Sequence, residues 1–290
     1  NLRRNRKVKT EGETMKKTFK DILKNKMFVI GIILFGIVLL VAIFAPLIAP
    51  HTYDEQNMAM KLTGPSSEYP LGTDQYGRCI FSRVIYGSRI ALSVGVVAVV
   101  IETIIGVTLG MLAGYYGKKI DKIITFITDS AWAIPPIILA MAIVLMLGSS
   151  AMNVAIAVAV VSWAQFTKII RAKVQSLKEL SYIEAARIYG ESDFSILIRY
   201  ILPNLTSTII ILATLALPSA ILSTTSMGFL GLGAQQPQPD WGMILQDGIQ
   251  YLGNAPWISM VPGIAIVWTV LGFNLVGEGV KDMLDPRLKV

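Results

Sequence analysis

Six apolar runs, each long enough to cross a bilayer as a helix, leave this sequence few choices of fold. They lie near Met27 to Ala49, Ile90 to Tyr115, Ile123 to Leu147, Met152 to Ile170, Ile201 to Thr224 and Trp257 to Val280. A helix needs about 20 apolar residues to span the hydrocarbon core. With 53% hydrophobic and 16% charged residues and a mean hydropathy of +0.60, the chain is too apolar for an ordinary soluble domain. The expected fold is all-α, a polytopic membrane protein with six transmembrane helices. Its layout reads as a cytoplasmic N-terminal tail with an interfacial helix over 1–26, a first transmembrane helix over 27–49 and an extracytoplasmic segment over 50–89. A five-helix core over 90–280 follows, with a cytoplasmic loop at 175–203, and then a cytoplasmic tail over 281–290. The first run lacks a small-residue cleavage site and reads as a retained anchor rather than a signal peptide.

The net charge of +7 takes its meaning from where the basic residues fall. Ten precede Met27: Arg3, Arg4, Arg6, Lys7, Lys9, Lys16, Lys17, Lys20, Lys24 and Lys26. With the start of the chain inside, the later inside loops add Lys118, Lys119, Lys122, Lys168, Arg171, Lys173, Lys178, Arg187, Arg199, Lys281, Arg287 and Lys289. Only Lys61, Arg78, Arg83 and Arg89 remain outside. The positive-inside rule then sets both termini in the cytoplasm, and the charge calls for membrane lipid rather than nucleic acid as its partner. Met15, Phe19, Ile22 and Leu23 recur at helical spacing among lysines, the pattern of an amphipathic helix on the inner membrane surface. The single Cys79 excludes an intrachain disulfide, and the single His51 excludes a histidine-built metal site. No catalytic, cofactor-binding or metal-ligating set is expected.

Between the fourth and fifth runs lies a polar island, Ser181 to Gly190, ending at Leu202-Pro203. Ser181 and Glu184 have the spacing of a capping box, so a helix is expected to start at Ser181. Gly190 can take the left-handed conformation that closes it after about two turns, and Ser192 is placed to cap a second helix toward Pro203. So short a helix needs something to pack against. Tyr182, Ile183, Ala186 and Tyr189 are expected to look outward for a partner; the alternative is a connecting loop that only caps its neighbours.

Within the spans, Gly106, Gly110 and Gly114 form a small-residue stripe that lets another helix approach closely. Glu102 places a charge deep in the second span, where it faces a bundle interior or an aqueous cavity, and Asp129 lies about two turns inside the third from its cytoplasmic end. For Glu102 an interhelical hydrogen bond outweighs a substrate contact. Pro135-Pro136 is expected to break or kink the third span, and Pro218 and Pro262 to do the same in the fifth and sixth. Broken spans are tolerated beside protein or water, so Glu102, Asp129, Pro135 and Pro136 mark a possible pathway. Outside, 50–88 is rich in turn residues and is expected to pack on helix ends or receive a partner. The segment Thr225 to Pro256 reads as a re-entrant or surface loop closing the outer face, or as a plain connector.

The island's Glu184-Ala185-Ala186, Gly190 and Leu202-Pro203 resemble the Glu-Ala-Ala loop of membrane subunits of ATP-binding cassette importers. Further stretches resemble the C-type permease of dipeptide and oligopeptide importers: Leu71 to Arg78 with Phe81-Ser82-Arg83, Gly114-Tyr115-Tyr116-Gly117, Gly231-Leu232-Gly233 with Trp241-Gly242, and Asp285-Pro286-Arg287-Leu288. Two positions depart from the pattern: Tyr200 where the loop has an aliphatic residue, and Cys79 where an acidic one is usual.

The resemblance implies a type I importer-like permease whose coupling helix docks in a cleft of an ATPase subunit. It gives that role to Ser181, Glu184, Ala185, Ala186, Gly190, Leu202 and Pro203. It further implies a second homologous permease, two ATPase subunits holding ATP and Mg, and an extracytoplasmic peptide-binding protein, all at the bacterial cytoplasmic membrane. The residues agree in lacking an ATP site: at Gly117-Lys118, the nearest approach to a P-loop, position 112 is Leu and position 119 is Lys. Ion-driven secondary transport, with Glu102 and Asp129 as ion sites, leaves the polar helix unexplained. A membrane scaffold or sensor leaves the broken spans unexplained. Related permeases also carry nickel or metal chelates, so the substrate class stays open here.

Overall fold

The protein is seen in a computed structural model that describes residues 26–284. The interfacial helix expected around Met15 to Leu23 and the stretch Asp285 to Leu288 lie outside the described residues. The elements, in order, are α1 (Lys26–Ile43), α2 (Ala45–Ile48), α3 (Ile80–Tyr116), α4 (Lys118–Trp132), α5 (Pro136–Leu147), α6 (Ala151–Leu177), α7 (Ser181–Ile188), α8 (Asp193–Phe229), α9 (Trp241–Gly248) and α10 (Trp257–Leu284). Five helices are long and apolar enough to cross a membrane, or six if the bent pair α4 and α5 is one span.

Boundaries move where tertiary packing supplies what the sequence pattern lacks. Helix α3 begins at Ile80, ten residues before the apolar run. Its polar Ser82, Arg83 and Ser88 are buried, and the 50–79 segment meets the first two, Ser82 accepting from the His51 N–H and Arg83 donating to Tyr53 O, so protein rather than lipid or water surrounds them. Helix α8 starts at Asp193 rather than Ile201, because the short helix capped by Ser192 runs on through a π-helical turn, Ile196–Ile201. Pro203 sits just past that turn. It lacks an N–H and its ring crowds the carbonyl four residues back, and the wider turn relieves the crowding.

The third run is broken as expected. Pro135 is extended (ψ 126°) ahead of Pro136, as a residue before proline prefers, and α4 meets α5 at 91°. Pro218 and Pro262 do not break their spans: both lie inside continuous helices, α8 and α10. Each forfeits one helical hydrogen bond, and burial of both rings among neighbouring helices holds the turns in place.

The centre is the parallel pair α3 and α6. A Cβ added to Gly106 would lie 2.3 Å from Phe166 Cβ, one on Gly110 2.8 Å from Ile170 Cβ, and one on Gly114 2.7 Å from Val174 Cβ. The stripe advances four residues at a time on both helices, so it packs α3 on α6 within this chain. Helix α1 packs on α10 in the same manner, with Gly31 against Leu275, Gly279 against Phe28 and Phe35 tilted on Phe273 at 4.7 Å. Its other side exposes Ile33, Leu40 and Ile43, as a lipid-facing helix does. The bundle has two working ends, one at Tyr115 and α7, the other at Ile80 and α9.

Candidate functional site

At the Tyr115 end, α7 is one face of a tightly closed loop. Ser181 is not its cap. Leu180 is the N-cap residue, with no side-chain cap bond, and Ser181 already has helical geometry. The Glu184 N–H bonds the Leu180 carbonyl at 3.3 Å, which takes the donor the capping box would have used. The other end is as the sequence predicts. Gly190 is left-handed (φ +82°), the Gly190 N–H bonds Arg187 O at 3.0 Å, and the Glu191 N–H bonds Ala186 O at 3.1 Å. That pair of bonds is a Schellman closure. Ser192 Oγ then accepts from the Ser195 N–H at 3.3 Å and caps α8.

Of the four residues expected to face a partner, Ile183 and Ala186 instead turn inward. They join Tyr115, Ile170, Val174, Leu177, Ile196 and Ile201 in one buried cluster, because amphipathic α7 finds its apolar neighbours in its own chain. What remains outward is Tyr189 (88% exposed), Ile188 (80%) and Phe194 (74%), with Tyr182 at their side. Ser181, Glu184, Ala185 and Pro203 are exposed, and Leu202 is half-buried. The loop is tied to the bundle at Tyr115, whose hydroxyl donates to Asp193 Oδ1 at 2.7 Å while the Arg187 guanidinium lies 5.1 Å from its ring centre.

At the opposite end, the 50–79 segment and the 230–256 segment clasp each other. Asp74 accepts from the Tyr76 N–H at 2.8 Å, the Arg78 N–H at 3.0 Å and Arg78 Nε at 2.6 Å, with Arg83 Nε 3.7 Å away. Both guanidiniums are buried. Arg78 reaches across to Gln236 Oε1 at 3.1 Å, Trp241 Nε1 donates to Val84 O at 2.8 Å, and Trp257 Nε1 to Thr73 O at 3.1 Å. The stretch expected as a loop from Thr225 thus contains the end of α8 and all of α9. Asp240 is the N-cap of α9 and accepts from the N–H groups of Gly242, Met243 and Ala234. Burial raises the carboxyl pKa of Asp240 and of Asp247 above the ordinary range.

Between the ends, the break at Pro135-Pro136 opens beside a cavity of about 210 Å³ lined by Pro136, Ala140, Ser162, Ser223, Ser226 and Met227, among others. Glu102 is buried in α3, with Ser162 of α6 as its polar neighbour. Asp129 is elsewhere. It is 57% exposed and paired with Lys168 Nζ at 2.7 Å. The two acidic residues therefore do not form one ion site. Among the described residues no group of three or more His, Cys, Asp or Glu gathers as metal ligands do.

Residues 106–290, more than half of the chain, match the family described as binding-protein-dependent transport system inner membrane component. The chain belongs to this family. It is a multi-pass inner-membrane permease subunit of a binding-protein-dependent ABC importer. Residues 14–65 also match the N-terminal transmembrane domain of oligopeptide transport permease C. The dipeptide transport system permease protein DppC of Alkalihalophilus pseudofirmus is 46% identical over 94% of this chain and 90% of its own length. The di/tripeptide transport system permease protein DppC of Pseudomonas aeruginosa is 37% identical over 95% and 93%. The glutathione transport system permease protein GsiD of Escherichia coli is 45% identical over 87% and 84%.

The permease family match begins at the glycine stripe and takes in the broken span, α7 and the α9 end. Sequence reasoning missed the partners rather than the positions. Tyr115 was legible as part of Gly114-Tyr115-Tyr116-Gly117, but its bond to Asp193, 78 residues on, was not. The charge pattern groups Lys168 with the loop cations, yet it lies within α6. Its charge on an apolar helix was the available signal.

Proposed function

We propose that this permease subunit pairs with a second, related permease to carry short peptides inward, and that α7 docks on one of two ATP-binding subunits. The observation that carries the coupling role is the outward patch of Ile188, Tyr189 and Phe194 beside a loop closed at both ends. A patch of this kind needs a partner surface, and the Tyr115–Asp193 and Arg187–Tyr115 contacts give it a rigid path into α3 and α8. ATP-driven closure of the partners then moves α7, and the bundles rock as rigid bodies around the pathway. Both termini and α7 are cytoplasmic in this reading, and the clasp of Asp74, Arg78, Gln236 and Trp241 faces the peptide-binding protein.

The substrate class follows the relatives, whose names specify dipeptides, di/tripeptides and glutathione. The pathway runs along the α4–α5 break, where Ser162, Ser223 and Ser226 line the cavity and the freed backbone groups need water or protein. Purification of the tagged chain in mild detergent tests the assembly. Mass spectrometry should find one further permease and ATPase chains; a folded, monodisperse chain that brings neither would refute the coupling role. Uptake of labelled dipeptide by vesicles holding that complex and the loaded binding protein tests the cargo.

A further inference from the structure

We propose that Lys168, Asp129 and Trp132 form a station for the charged ends of a peptide in transit, Lys168 meeting its carboxylate and Asp129 its ammonium group. This rests on the reading that the α4–α5 break faces the pathway.

The pair is short, 2.7 Å, yet open, with Lys168 38% and Asp129 57% exposed. Lys168 Nζ also lies 4.4 Å above the half-open Trp132 ring. Lys168 is nine residues before the end of α6, about 13 Å along the helix at 1.5 Å per residue. Lys168 is the first charge on α6, at the end of its uncharged stretch from Ala151 to Thr167, and an open ion pair there belongs beside water or protein rather than lipid tails. The helix break one residue past Trp132 adds backbone groups with the same need.

A strut between α4 and α6 already exists without this pair. Arg171 grips Asp121 with two N–H groups, one of them 2.7 Å from Oδ2, and both side chains are more enclosed than Lys168 and Asp129. Lys168 holds Asp129 by a single point contact on a flexible stem, which exchanges partners more readily than a guanidinium fork. A short peptide carries one ammonium and one carboxylate. It can enter the pair by giving each side chain a new opposite charge, so no charge is left without a partner. Trp132 offers its face to a cationic or aromatic group beside them.

The test uses the complete importer in vesicles, with the binding protein saturated by each probe in turn: a free dipeptide, its C-terminal amide and its N-acetyl form. The wild type should move the free dipeptide roughly tenfold faster than either derivative, the worth of one charge-assisted contact. Lys168→Gln should lose the discrimination against the amide alone, and Asp129→Asn that against the acetyl form alone. Variants that transport normally and keep both discriminations overturn the station. A benzophenone-bearing dipeptide on the wild-type complex gives a mutation-free reading: photoproducts near Trp132 support the station, and products found only elsewhere overturn it. The underlying pathway reading is checked by labelling Lys168→Cys with a charged aqueous thiol reagent and mapping the adduct; the native Cys79 is buried. Labelling with unchanged discrimination keeps the pathway and removes the station, whereas no labelling in any nucleotide state removes both.

Discussion

The Tyr115 hydroxyl at the end of α3 donates to Asp193 at the start of α8, 2.7 Å away, and so joins the glycine-striped centre of the bundle to the loop that carries α7. Tyr115→Phe keeps the ring under Arg187 and removes only that bond. A hydrogen bond of this kind contributes about 0.5–1.5 kcal/mol, so the complex should still assemble. ATP hydrolysed per peptide imported should rise, because motion at α7 is passed on less faithfully; an unchanged ratio would show that the link carries no coupling.

Gly190 isolates a backbone effect. A Cβ there meets nothing within 4 Å, yet φ is +82°, so Gly190→Val costs strain alone, about 1–2 kcal/mol. Uptake should fall while ATPase activity persists. Gly190→Asn, which tolerates this conformation, should recover much of the uptake.

Gly106 is the opposite case, ordinary in backbone and crowded in space. Gly106→Val must push α3 off Phe166, which a close-packed pair resists at a cost of about 1–3 kcal/mol. The midpoint of thermal unfolding in detergent should drop by several degrees. Gly64→Ala, whose added Cβ would meet the Trp257 ring at an ordinary 3.7 Å, should leave it in place.

Asp74→Ala leaves the buried guanidiniums of Arg78 and Arg83 without their carboxylate. Removing one partner of a buried ion cluster costs about 3–5 kcal/mol, so the variant should accumulate poorly in membranes. Glu55→Gln, which alters a half-exposed contact with His51, should accumulate normally.

Asp240 gives a pH signature. Its folded-state pKa is raised by burial, so folding takes up a proton between the ordinary carboxylate pKa and the higher folded value. Stability from this group therefore increases as pH falls across that interval and is level on either side. Asp240→Asn should reduce that slope. It should also be less stable at neutral pH, since an amide can offer only one oxygen to the three N–H groups the carboxylate accepts. Unfolding midpoints from pH 7 down to pH 4 read both effects, with Asp247, shifted in the same direction, contributing to the slope that remains.

The sequence by itself determined what lies on the scale of one helix. Bilayer thickness and an apolar alphabet mark six spans, the Pro135-Pro136 pair forces the break that α4 and α5 display, and the freedom of a glycine to go left-handed ends α7 at Gly190. Each of these follows from a local rule that needs no partner. The glycines at 106, 110 and 114 announced a close approach in the same way, though not what approaches.

Only the tertiary structure decided the partners. Which helix meets the stripe, that Ile183 and Ala186 turn inward while Ile188 and Tyr189 stay out, that Asp129 belongs to Lys168 and Glu102 to Ser162, and that Arg78 and Arg83 share Asp74 all depend on distance in space. Side chains such as Ser82 and Arg83 look like the end of a span until another segment covers them, and then the helix extends ten residues further. Burial and pairing are properties of the packed bundle, so the same polar residue reads as a boundary in sequence and as an interior contact in the fold.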